Sequence, residues 1–116
     1  MKRHFRLTRS TDFKRVRSSG KSYAHPLVVL YVTPSDQPGI RVGVTATRTV
    51  GNAVRRNRAK RLLRAAMADL MPETVPGSNL LLVARAPLPL ADFSQARTAV
   101  VFLLQRAGLI LPSHGG

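Results

Sequence analysis

The chain has 116 residues, the length of a single domain, and an apolar content ordinary enough to build a core. Nineteen Lys and Arg face five Asp and Glu, so the net charge is +14, carried mostly by arginine. These values exclude a disordered chain and point to a polyanion as partner. The lack of cysteine excludes disulfides, thiolate metal sites and thiol nucleophiles.

No apolar run approaches the roughly 18 residues of a membrane span. The start, Met1-Lys2-Arg3-His4-Phe5-Arg6, has no apolar run behind it and does not read as a secretory signal. With no cysteine, a cytoplasmic location and no membrane contact are the expectation.

Residues 2–9 are basic, with Phe5 and Leu7 interposed. Ser10 or Thr11 can cap a short helix carrying Phe13, Val16 and Arg17, ended by Ser18-Ser19-Gly20. Residues 27–32, Leu-Val-Val-Leu-Tyr-Val, predict a well-buried strand, and the segment from Ser22 can hold a second piece of sheet. Pro34 to Gly39 is a turn cluster. Beyond it Ile40, Val42, Val44 and Ala46 alternate with Arg41, Gly43, Thr45 and Thr47, a strand with one apolar and one polar face. The short turn between these strands predicts that they pair antiparallel.

Gly51 and Asn52 then start a helix that Pro72 closes. On a wheel of about 100° per residue, Ala59, Leu62, Leu63, Ala66, Met67 and Leu70 share one side. Asn57, Arg58, Lys60, Arg61 and Arg64 share the other, while Arg55 and Arg56 sit nearer the apolar arc in the first turn. A solvated helix face usually mixes signs. Six cations between Arg55 and Arg64, with no acid among them, repel one another unless an anion neutralises them. Cations at a helix N-terminus also oppose its dipole, which favours a docked phosphate.

Residues 80–84 are apolar on both faces and predict a central strand. Asp92 and Gln95 resemble a capping box for a last helix to about Ala107, with Phe93, Ala96, Val100, Leu103, Leu104 and Ala107 inward. Pattern alone gives α-β-β-α-β-α, an α+β sandwich, with the first sheet segment open to division.

Catalytic chemistry is hard to assemble. Asp12, Asp36, Asp69, Glu73 and Asp92 form no close pair, and His4, His25 and His114 are scattered. There is no phosphate-loop or dinucleotide glycine pattern. Phe13 and Tyr31 read as core aromatics or as a stacking surface for single-stranded bases. A non-catalytic ribosomal-type RNA-binding protein, a DNA-binding regulator and an autonomous nuclease are the competing classes. A strand before the basic helix argues against a helix-turn-helix, and the acid distribution argues against the nuclease.

The run Gly51-Asn52-Ala53-Val54, Arg56-Asn57-Arg58, Lys60-Arg61 and Arg64 resembles the signature of the bacterial ribonuclease P protein subunit. Arg6-Leu7, Asp12-Phe13, Gly20, Leu30-Tyr31, Arg41-Val42-Gly43 and Ala84-Arg85 fall in the matching order, so the resemblance runs from about residue 2 to 109. It implies an α-β-β-β-α-β-α fold, ribosomal-protein-S5-like, with a left-handed βαβ crossover, occupying residues 1–109 before a tail of 110–116.

The resemblance also implies a catalytic RNA partner that holds the Mg²⁺, a precursor tRNA substrate that loses its 5′ leader, and no obligate protein partner. By the same resemblance Arg56, Asn57, Arg58, Lys60, Arg61 and Arg64 would contact RNA, and Arg55, in the same run of cations, is expected to join them. Phe13, Arg17, Tyr31, Arg41, Thr45 and Arg48 would line the leader cleft. Arg17 stands where many members carry a second aromatic, and Thr49 where a lysine is common. A phosphate contact from Arg17 is therefore expected in place of stacking.

Overall fold

The computed structural model describes residues 10–111; the basic segment 2–9 and the tail 112–116 lie outside that range. Three helices and four strands follow in the order α1 Ser10–Ser19, β1 Lys21–Ala24, β2 Val28–Pro34, β3 Arg41–Ala46, α2 Ala53–Leu70, β4 Ser78–Ala84 and α3 Phe93–Arg106. The segment after Gly20 is thus divided, and Pro26 sits at the division. His25 and Val28 close the β1–β2 turn with reciprocal backbone bonds of 2.9 and 3.2 Å. Gly20 is required where α1 meets β2: a Cβ there would lie 2.5 Å from the Val16 carbonyl oxygen and 2.7 Å from Thr33 Oγ1.

The sheet order is β1-β2-β4-β3. This corrects the expected β2–β3 pair. β4 lies between them, antiparallel to β2 and parallel to β3. The cause is the composition of β4: Leu80, Leu82 and Ala84 are buried on one face and Leu81 and Val83 on the other. Only an interior strand is covered on both sides. The turns flanking β2, β3 and β4 are laced together by Ser35 N–H to the Gly77 carbonyl and Gly77 N–H to the Gly39 carbonyl, each 2.9 Å.

The main core fills the space between the sheet and the pair α2 and α3. Leu30, Val42, Leu63, Met67, Leu70, Leu82, Leu103 and Leu104 have no exposed surface there. Leu109 and Ile110 join this core, so Ile110, expected at the start of the tail, is buried. The capping box of α3 is complete: Gln95 N–H donates to Asp92 Oδ1 at 2.8 Å, and Asp92 N–H donates to Gln95 Oε1 at 3.0 Å. Phe93, expected inward, is 43 % exposed. Its angle on the helix suits the core, but it stands at the first helical position, a turn before the first buried residue, Ala96.

Candidate nucleic-acid interface

The basic helix is launched from the end of β3 by a single short turn, Arg48–Val50, whose Val50 is buried. Asn52 caps α2, its Oδ1 accepting from Arg55 N–H at 3.0 Å. Gly51 holds φ at +129°, and a Cβ on it would meet Arg55 Cδ at 2.8 Å. The Gly-Asn of the signature is thus a geometric requirement: glycine for the backbone and for the arginine stem, asparagine for the orphan N–H groups.

Ala59, Leu63, Ala66, Met67 and Leu70 anchor the helix in the core. Arg55, Asn57, Arg58 and Arg61 are exposed, and Arg56, Lys60, Leu62 and Arg64 are half-buried. Val54, Asn57, Arg61 and Arg64 form one stripe along a shallow depression of about 390 Å³. Asp69, the one acid within α2, is engaged by Arg97 of α3. The stretch from Arg55 to Arg64 itself contains no acid. Arg58 leaves this face sideways: its Nε donates to the Pro89 carbonyl at 2.7 Å and its Nη2 to the Ala91 carbonyl at 3.4 Å.

The opposite face of the sheet carries α1, which packs on β2 and β4. Beneath it Val16, Leu81 and Val83 are buried, with Phe13, Val29 and Tyr31 half-buried around them. The β3–β4 register pairs Arg41 with Asn79, Gly43 with Leu81 and Thr45 with Val83, so these β3 residues share the α1 face of the sheet. Next to α1 opens a groove of about 810 Å³ lined by Arg17, His25, Thr47, Thr49 and Arg85, among others. The Arg17 guanidinium lies 5.9 Å from the centre of the Tyr31 ring, within cation–π range. Thr47 and Thr49 share a hydroxyl hydrogen bond of 2.7 Å. Burial holds the His25 imidazole below its usual pKa.

A separate recess of about 220 Å³ is lined by Arg15, Thr33, Ser35, Asp36, Arg41 and Asn79, among others. The expected cleft set is therefore divided. Arg17 lines the large groove and reaches back over the Tyr31 ring, Arg41 turns to the smaller recess, and Phe13 packs from α1 onto the small cluster of Val16, Leu81 and Val83. Thr45 is half-buried on β3, and Arg48 is exposed in the turn leading to α2. Sequence reasoning did not assign His25, Arg85 or Arg15 to a site. The signal for Arg85 was its place directly after the apolar β4 run, at the same end of the sheet as Arg48 after β3.

Among the described residues, no group of three or more His, Asp and Glu side chains could hold a metal ion. Asp92 caps α3, and Asp69 pairs with Arg97. What the arrangement offers is a surface of cations and hydroxyls, matched to phosphate oxygens and to single-stranded nucleic acid.

The sequence matches the Ribonuclease P family over residues 1–108. It is 38 % identical to the ribonuclease P protein component of Herpetosiphon aurantiacus over 109 residues, covering 94 % of this chain and 89 % of that one. It is 34 % identical to that of Shouchella clausii over 116 residues, covering 99 % and 95 %. Among solved structures, the RNase P protein from Thermotoga maritima superposes with a TM-score of 0.78 at 27 % identity, covering 87 % of this chain and 96 % of that one. The Staphylococcus aureus RNase P protein superposes with a TM-score of 0.81 at 24 % identity, covering 92 % and 98 %, and supports the fold. A basic helix launched by Gly51-Asn52, set beside an open sheet face, thus has both its sequence and its architecture in common with one group of proteins, and the chain belongs to the ribonuclease P protein component family.

Proposed function

We propose that this subunit of ribonuclease P holds the 5′ leader of precursor tRNA along the α1 face of its sheet and meets the catalytic RNA with α2. Arg55, Arg56, Asn57, Lys60, Arg61 and Arg64 face that RNA. Arg17, Tyr31, Thr45 and Arg48 lie along the leader's path, with Phe13 anchoring α1 to the sheet and Arg41 in the neighbouring recess. The observation that carries this reading is the single-signed face of α2 beginning where β3, a wall of the open sheet face, ends. A strand leaving that face reaches the cations without crossing the apolar core.

In this reading the RNA supplies the catalysis and holds the Mg²⁺, since the described side chains form no ligand set for it. The protein neutralises phosphates and orders the leader, contributions that lower the ion concentration the reaction needs. No described helix is long and apolar enough to cross a membrane. We place the subunit in the cytoplasm with its RNA and its tRNA substrates.

Reconstitution tests the proposal. The protein is mixed with a bacterial ribonuclease P RNA and labelled precursor tRNA at low Mg²⁺, and release of the leader is followed. Accurate, stimulated cleavage that Arg61→Ala with Arg64→Ala abolishes is the expected result. Tight binding to another RNA with no stimulation would contradict it, and so would cleavage by the protein without RNA.

A further inference from the structure

The guanidinium of Arg58 is spent on two backbone carbonyls 31 and 33 residues away, Pro89 and Ala91. Both lie in the connection between β4 and α3. Its first residues, Arg85, Ala86 and Pro87, help line the large groove. The connection turns by N–H groups of Leu88, Leu90 and Ala91 donating to Arg85, Pro87 and Leu88 carbonyls at 2.9–3.0 Å. Leu88, Pro89 and Ala91 are buried while Leu90 is 82 % exposed, so the segment is pinned in its middle and again at Ala91, with Leu90 turned outward between.

We infer that Arg58 is a positioning residue for the leader groove: a strut from the RNA-facing helix to the segment that forms part of the groove wall. The inference rests on the reading that the leader lies in this groove. Two features favour a strut over a phosphate contact. The 2.7 Å bond is charge-assisted and comes from a planar fork that addresses two acceptors, a geometry lysine does not reproduce. It also draws Arg58 away from the stripe of Val54, Asn57, Arg61 and Arg64. Contact between α2 and the catalytic RNA and the shape of the leader groove are thereby joined through one side chain.

The test uses the reconstituted holoenzyme with Arg58→Lys and Arg58→Ala, a precursor tRNA and the same tRNA without its leader. Amide exchange at Leu88, Leu90 and Ala91 is measured alongside binding. The strut predicts faster exchange at these amides in both variants, with exchange across α2 unchanged. It predicts a roughly tenfold loss of preference for the leader-bearing tRNA, the size of one charge-assisted hydrogen bond. Lysine should not rescue that preference, and affinity for leaderless tRNA and its salt dependence should hold. Unchanged exchange in Arg58→Lys overturns the strut. Equal loss on both tRNAs, rescued by lysine and with a salt slope lower by about one, overturns it in favour of a phosphate contact. Faster exchange with a wild-type holoenzyme that shows no preference for the leader overturns the groove reading, and with it the functional half of the inference.

Discussion

The two faces of the sheet are built to different standards. Against one, α2 and α3 close a core in which Leu30, Leu63, Met67, Leu82 and Leu103 have no exposed surface. Against the other lies α1, over a small cluster of Val16, Leu81 and Val83, and the same face continues into threonines, arginines and an open groove. Burial of apolar area is the main stabilising term, at roughly 25 cal/mol per Å². A chain of this size that concentrates it on one face can leave the other face wet and cationic. The division also explains why α2 serves two ends, with its inner side in the strong core and its outer side carrying cations.

The sharpest way to break this comparison is to empty each core in turn. Leu63→Ala should cost about 2–5 kcal/mol in urea unfolding, the range for a buried leucine. Val16→Ala should cost about 2 kcal/mol or less, at roughly 0.8 kcal/mol per methyl plus its cavity, while weakening precursor binding through a loosened α1. Equal stability losses would contradict the asymmetry. Gly51→Ala probes the junction between the two regions. Its φ of +129° and the 2.8 Å approach to Arg55 predict a loss of about 1–3 kcal/mol, with weaker binding of the catalytic RNA.

Smaller effects sharpen the account. Arg17→Ala should change stability by less than about 0.5 kcal/mol, as a surface substitution does. It should weaken leader binding mainly at low salt and lower the salt slope by about one. A salt-independent loss would instead assign Arg17 to stacking with Tyr31. The least effect comes from His25. Its pKa is lowered by burial, and Leu27 N–H donates to its Nδ1 at 3.0 Å, a bond that protonation of Nδ1 would break. A depressed histidine gives stability that is complete above the unfolded value near 6.5 and is lost as pH falls from there toward the folded pKa. Thermal unfolding between pH 7.5 and 5 should show a small decline that His25→Asn removes.

Local signals were read well from the sequence because their causes are local. Asn52 and Asp92 are caps whose N–H donors lie three residues on, and the apolar side of α2 follows from its period. The pairing of β2 with β4 was not legible in the same way. A short turn argues for adjacency, and only competition for the interior position places β4 between β2 and β3. The path of Arg58 was hidden for a related reason. It lies at the flank of the basic face, and its partners are backbone carbonyls, which leave no trace in residue identity. The separation of Arg41 from Arg17 depends on where α1 crosses the sheet, a tertiary fact that strand alternation alone does not carry.

Because the chain has no cysteine, a single introduced thiol can carry a hydroxyl-radical probe to a chosen point. Thr47→Cys, Arg61→Cys and Val75→Cys place it in the large groove, on the outer face of α2 and on the exposed segment between α2 and β4, respectively. In the holoenzyme with precursor tRNA, the probe at 47 should cut the leader and the probe at 61 the catalytic RNA, with neither cut from 75. Leader cleavage from 75 with none from 47 would place the leader elsewhere and contradict the division of labour between the two faces.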